Sequence, residues 1–169
     1  MSYNEKYTYV QEQITTALIM LMKTNKFEDI SITTIITTGG VSRASFYRNF
    51  TSKEDVINHY LVRLIMEWLH SDPILIHQDF IGQLFKHFED HRDTYFLLYN
   101  ANLSHLLLNI IVEFLGPGKG MEPIDEYSKS FLAYGLFGWI NQWFSNGMRE
   151  SAEEIATLYK KADTNQRDN

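Results

Sequence analysis

Residues 30–56 read ISITTIITTGGVSRASFYRNFTSKEDV, and the local chemistry of this stretch decides the fold. Gly39 and Gly40 put a sharp bend in its middle, because glycine takes positive φ without a steric penalty. Val41 then offers one apolar side chain to wedge between the flanking segments, and Ser42 is a good N-cap. Phe46 and Phe50 lie four apart on one helical face, whereas Arg43, Tyr47 and Asn49 point elsewhere. Thr51 and Glu54 have the spacing of a capping box, so a further helix is expected to start near Ser52. By propensity alone residues 30–38, nearly all Ile, Thr and Ser, read as an edge strand. Helical patterns on both sides, and no partner strand elsewhere in the sequence, favour a short helix instead. Two short helices joined by a glycine turn are the arrangement that lays the second helix in the major groove of DNA.

These residues resemble the tetracycline-repressor (TetR) family of bacterial transcription regulators. The resemblance spans about residues 7–61 and rests on the glycine turn, the Val-Ser-Arg-x-x-Phe-Tyr-x-x-Phe helix and the Ser-Lys-Glu helix start. It implies an all-α chain of about nine helices, with a helix-turn-helix head at 1–52 and a regulatory and dimerisation body at 53–169. Ile36 and Gly39 stand where the family tends to have alanines, and Thr33, Thr34, Thr37 and Thr38 replace the usual mixture of charged residues. The body is also similar, less specifically, to short-bodied members related to the dihydroxyacetone kinase operon activator. That likeness leaves activation and repression both open.

The charge of the chain is −6, which is unpromising for a DNA binder until it is divided by region. Residues 1–53 carry six Lys or Arg against four Asp or Glu, while residues 54–169 carry nine against seventeen. DNA responds to the local face, so an acidic body behind a mildly basic head is compatible with binding. The absence of cysteine excludes disulfide frameworks and thiolate metal sites, and suits a reducing cytoplasm. No basic start leads into an apolar run, and the most apolar stretch, 103–115, is too short and too interrupted to span a bilayer. A cytoplasmic protein without a membrane partner is expected.

Apolar spacing predicts a first helix to about Thr24, motif helices at about 32–38 and 43–49, and a fourth helix that Pro73 closes. The fourth links head to body. Further helices are expected at about 75–90, around Tyr95–Phe96, at 102–115, at 125–148, and from a capping box at Ser151 and Glu154 to about Ala162, leaving a polar, frayed tail. Residues 116–123 are a loop, and their Gly-Pro-Gly-Lys-Gly lacks the frame of a phosphate loop.

For DNA binding the candidates are Thr33, Ser42, Arg43, Ala44, Ser45, Tyr47, Arg48, Asn49 and Lys53. Arg43, just after the Ser42 cap, can bridge guanine O6 and N7, with Ala44 and Ser45 beside it at the base edges. Through the resemblance, Tyr47, Asn49 and Lys53 match positions that hold the phosphate backbone, Thr33 is a weaker candidate, and Arg48 could serve either role. The helix at 125–148 is apolar around more than half its circumference, so a second copy is expected to cover part of it. Tyr127, Tyr134, Gly135, Gly138, Trp143, Ile155 and Tyr159 are the candidate dimer contacts. Phe85, Phe88, Tyr95, Phe96, Tyr99, Phe131 and Trp139 could line a cavity for an apolar effector, or simply fill the core. His87 and His91, four apart, are better read as surface or capping histidines than as metal ligands. Ser104 and His105 are adjacent and point about 100° apart on a helix, so they do not form a catalytic pair.

The expectation is a homodimeric, non-enzymatic regulator of a palindromic double-stranded operator. It needs no cofactor or metal, and is controlled by a small-molecule effector or a protein co-regulator. The alternative is a helical ligand-binding or protein-interaction module with a degenerate head that does not read DNA.

Overall fold

The computed structural model describes residues 8–167, the side chains of 163–167 excepted. Among these residues are ten α-helices, one short 3-10 turn and no strand, so the chain is all-α. By its internal contacts it divides into two compact units, Met1–His70 and Ser71–Asn169.

In the first unit α1 (Tyr9–Met22) is followed by a 3-10 turn (Phe27–Asp29), α2 (Ile32–Gly39), α3 (Arg43–Asn49) and α4 (Lys53–Ser71). The strand-like composition of α2 is overridden at both ends. Ser31 caps its start, accepting from the Thr34 amide at 3.0 Å, and Ile35 is fully buried. Gly40 ends it in the left-handed region (φ 63°), and the Val41 amide donates back to the Ile36 carbonyl at 3.0 Å. Gly39 serves packing rather than the bend: a Cβ there would stand 3.0 Å from the Gln13 carbonyl oxygen of α1. Tight helix approach therefore explains why even alanine is absent.

Ser42 caps α3 as expected, with the Ser45 amide 3.0 Å from its hydroxyl. Phe46 and Phe50 are buried with ring centroids 6.1 Å apart, in a core shared with Ile14, Leu18, Phe27, Val56 and Ile57. The cap of α4 differs from the expected Thr51–Glu54 box. Ser52 accepts from the Asp55 amide at 3.1 Å, and the Asp55 carboxylate reaches back to the Thr51 amide at 2.8 Å. Glu54 is one residue too early to take that role.

Lys53 also departs from expectation. Its ammonium donates to the carbonyls of Phe27, Glu28 and Ile30 at 2.5, 3.1 and 3.0 Å, over the Phe27 ring at 4.5 Å. An ammonium has three N–H donors, and all three are committed to closing the 3-10 turn. Lys53 is thus a structural cation that ties α4 to the α1–α2 connection, with no donor left for a phosphate.

The second unit contains α5 (Pro73–Gln78), α6 (Phe80–Asp90), α7 (Arg92–Asn100), α8 (Ser104–Leu115), α9 (Pro123–Ser145) and α10 (Ala152–Arg167). Pro73 opens α5 rather than merely closing α4, because Asp72 caps it by accepting from the Leu75 amide at 3.0 Å. Asp79 breaks the expected 75–90 helix in two. It caps α6 through the Gly82 amide at 3.1 Å and pairs with Lys160 at 2.8 Å, which holds its carboxyl below the usual range. At the opposite end of α6, Glu89 accepts from the Ala152 amide at 2.9 Å. These two ties fix α6 and α10 as antiparallel neighbours. The Ser151–Glu154 capping box forms as expected, and α10 runs on to Arg167. No single helix among the described residues is long and apolar enough to cross a membrane.

Lys53→Met removes the ammonium from three carbonyl oxygens while keeping an apolar stem near Phe27. It is expected to lower stability by about 1–3 kcal/mol, read as a lower midpoint of denaturant unfolding of the first unit. An unchanged midpoint would show that the turn does not depend on this ammonium.

Candidate functional site

The burial of Phe46 and Phe50 turns the opposite side of α3 outward. Arg43, Ala44, Tyr47 and Arg48 are exposed, with Tyr47 at 49%. Arg43 is not loose: its guanidinium lies 5.6 Å from the Tyr47 ring centroid, and its Nη1 donates to the Thr33 hydroxyl at 3.4 Å. Ser45 is half-buried, and its hydroxyl accepts from Ser42 at 2.9 Å. Asn49 is half-buried and donates its amide to the Ser45 carbonyl at 2.7 Å, so part of its hydrogen-bonding capacity serves the helix itself. The first unit therefore brings Thr33, Arg43, Ala44, Tyr47 and Arg48 to the surface, keeps Ser42 as a cap, and withdraws Lys53.

In the second unit Phe85, Phe88 and Tyr95 are buried against Trp143 and Phe144. Phe88 meets Tyr95 edge-to-face at 4.6 Å, Phe85 meets Trp143 at 5.4 Å, and Tyr95 stacks on Phe144 at 5.9 Å. Phe96 and Tyr99 complete a half-buried rim on Phe144, and the Tyr99 hydroxyl reaches Ser145. Trp139 faces Tyr159 at 5.5 Å. Phe131 does not join this cluster, being 72% exposed. It lies about 220° around the helix from Phe144, so α9 cannot aim both into one space. The seven candidate pocket residues thus do not line a single cavity.

The long helix α9 has two faces. Leu136, Ile140, Trp143 and Phe144 are buried, whereas Ile124, Tyr127, Phe131 and Tyr134 form an exposed apolar stripe. Gly135 and Gly138 are exposed beside it, and a Cβ at either would meet nothing within 4 Å. Three of the candidate dimer contacts belong elsewhere. Trp143 is buried about 160° around the helix from Tyr127, and its indole donates to the Glu150 carbonyl at 3.1 Å. Ile155 is buried, and Tyr159 packs on Phe85 and Trp139. Trp143 and Ile155 complete the interior of their own chain, and Tyr159 is half-buried against it.

Residues 77–162 match a TetR-type family model described as a transcriptional regulator C-terminal region, which is half of the chain. The chain belongs to the TetR family of transcriptional regulators. No curated protein matches it. The matched region is the body, whereas the helix-turn-helix residues lie outside it, so the two indications come from different residues.

Several residues of this TetR-family body carry weight that the sequence pattern did not reveal. Arg92 donates to the Gly147 and Met148 carbonyls at 2.7 and 3.4 Å, bracing the left-handed turn after α9. His87, expected at the surface or as a cap, is buried at 4% exposure with its Nε2 2.8 Å from the Tyr95 hydroxyl. It follows the i, i+3, i+4 spacing of Leu84 and Phe88, which was the signal available for its inward direction. His91 sits between α6 and α7 with its ring 4.8 Å from His87. Among the described residues no group of three His, Cys, Asp or Glu is placed to hold a metal ion.

Burial pushes the His87 imidazole down from 6.5 to about 4; His91 acts in the same direction and Asp90 opposes it. A group depressed on folding binds more protons when unfolded, so its stabilising contribution is complete above 6.5 and lost as the pH falls towards 4. The wild type is expected to lose about 3 kcal/mol more between neutral pH and pH 4 than His87→Gln, compared by denaturant unfolding. Parallel pH profiles would contradict a neutral, buried His87.

Proposed function

We propose that this regulator is a homodimer that binds a palindromic double-stranded DNA operator through α3. The reading is supported above all by the outward face of α3, where Arg43, Ala44, Tyr47 and Arg48 stand exposed on a helix locked from behind by Phe46 and Phe50. A capped helix with an arginine at its first position suits major-groove reading, in which the N-terminal residues meet the base edges. Arg43 takes the base contact, Ala44 lies beside it, Tyr47 faces the backbone, and Arg48 serves either. Lys53 is left out of this set because its donors are occupied.

Dimerisation through α9 is supported by the stripe Ile124, Tyr127, Phe131 and Tyr134, which is 57–76% exposed. Bulky apolar side chains in a row at helical spacing are costly to leave in water, and the bare backbone at Gly135 and Gly138 lets a second helix come close. A two-fold axis across this stripe pairs α9 with its own copy, and such a pair shares the symmetry of a palindromic operator.

Two outcomes are expected. Arg43→Ala costs about 1–3 kcal/mol of operator affinity while binding to unrelated duplexes stays nearly unchanged, as measured by competition titration. Equal losses on both DNAs would remove Arg43 from the bases. Tyr134→Asp buries a charge at the proposed axis and weakens the dimer by about 2 kcal/mol or more, visible by sedimentation. A wild-type chain that sediments as a monomer at micromolar concentration would overturn this interface.

A further inference from the structure

We infer that Thr33 is a specificity-determining residue that acts through Arg43: with Tyr47 it holds the guanidinium in a reading position before DNA arrives. The inference rests on the base contact proposed for Arg43. Two observations from different elements converge on that side chain. Thr33, at the start of α2, accepts from Arg43 Nη1 at 3.4 Å, and Tyr47, one turn along α3, places its ring 5.6 Å from the guanidinium carbon. Arg43 opens α3, so the contact with Thr33 ties the starting turns of the two motif helices together.

The geometry restrains the arginine without consuming it. Guanidinium has five N–H donors in a rigid fork, and Thr33 takes one of them. The ring of Tyr47 engages the cation through its face and uses no N–H. A pair of parallel donors therefore remains for guanine O6 and N7. An unrestrained arginine at this exposed position would lose its rotamer freedom on binding, and one already held loses less. At 3.4 Å the contact is at the long end for a hydrogen bond, so it restrains the guanidinium weakly. The same position explains what a threonine does where the family tends to place charge. A lysine or glutamate there would repel or neutralise Arg43, whereas a hydroxyl aims it.

A threonine on this helix could instead donate to a phosphate, and the two roles have different signatures. A phosphate contact alters affinity for all sequences alike, whereas a positioning residue alters preference at the base pair that Arg43 reads. The experiment selects from a pool of random duplexes with the wild type, Thr33→Val, Thr33→Ser, Tyr47→Phe, Tyr47→Leu and Arg43→Ala, and measures for each the affinity for a fixed non-cognate duplex. Arg43→Ala is expected to lower the preference at one base pair per half-site by about 5- to 150-fold. Thr33→Val, nearly isosteric without the hydroxyl, is expected to lower preference at that same pair by about fivefold, the low end of that range, and to leave affinity for the non-cognate duplex unchanged. Thr33→Ser and Tyr47→Phe retain the preference, and Tyr47→Leu, which loses the ring, reduces it.

If Arg43→Ala relaxed the base pair and Thr33→Val did not, the inference would be overturned while the base contact stood. If Thr33→Val weakened binding to all duplexes alike with preference intact, Thr33 would be a phosphate contact and the inference would again fail. A preference untouched by Arg43→Ala would overturn the base contact and the inference together.

Discussion

A helix of seven residues does not hold its shape in water, because nucleation costs more than so few hydrogen bonds return. The exposed face of α3 therefore depends on the burial of Phe46 and Phe50, which anchors the helix from behind. Each buried phenylalanine contributes about 1.5–3 kcal/mol, enough to offset the ordering of a short segment. The four-residue spacing that buries these rings also dictates which side chains are left outside. Arg43, Ala44, Tyr47 and Arg48 are exposed because Phe46 and Phe50 are not. The Lys53 ammonium and the close pass of α1 over Gly39 hold the surrounding helices in the arrangement that receives those rings.

Much of this was legible in the sequence, for identifiable reasons. The Gly40 turn, the Ser42 cap and the aromatic face of α3 are short-range chemistry, and each depends only on neighbours within a few residues. The all-helical fold followed from periodicity, even through the threonine-rich α2, where tertiary packing of Ile35 outweighs β propensity. The features without a local signature depend on long-range partners. Lys53 resembles a phosphate-holding position, yet its three acceptors lie more than twenty residues upstream. Asp79 interrupts a helix whose apolar pattern runs straight through, and its pairing with Lys160 spans most of the body. The tie from Thr33 to Arg43 crosses the turn and has no local signature.

The body illustrates a different limit. An aromatic helix such as α9 announces that it is covered on several sides, but not which residue meets which surface. Periodicity assigned Trp143, Ile155 and Tyr159 to a partner, whereas they pack within their own chain. Tyr127, Phe131 and Tyr134 are the side that stays outside. The aromatic cluster around Phe144 then becomes the rigid interior against which α9 is held, with the neutral His87–Tyr95 pair as its polar member.

The claim on which all of this converges is that the outward face of α3 reads DNA as one half of a symmetric pair. The most direct measurement is the sequence retained by the wild-type protein from a pool of random duplexes at moderate salt. The account predicts enrichment of an inverted repeat whose half-site centres lie about 10 base pairs, or a multiple of that, apart. Retention of no sequence above the starting pool, at salt concentrations where the protein is folded, would contradict it and favour a helical interaction module whose head has lost DNA.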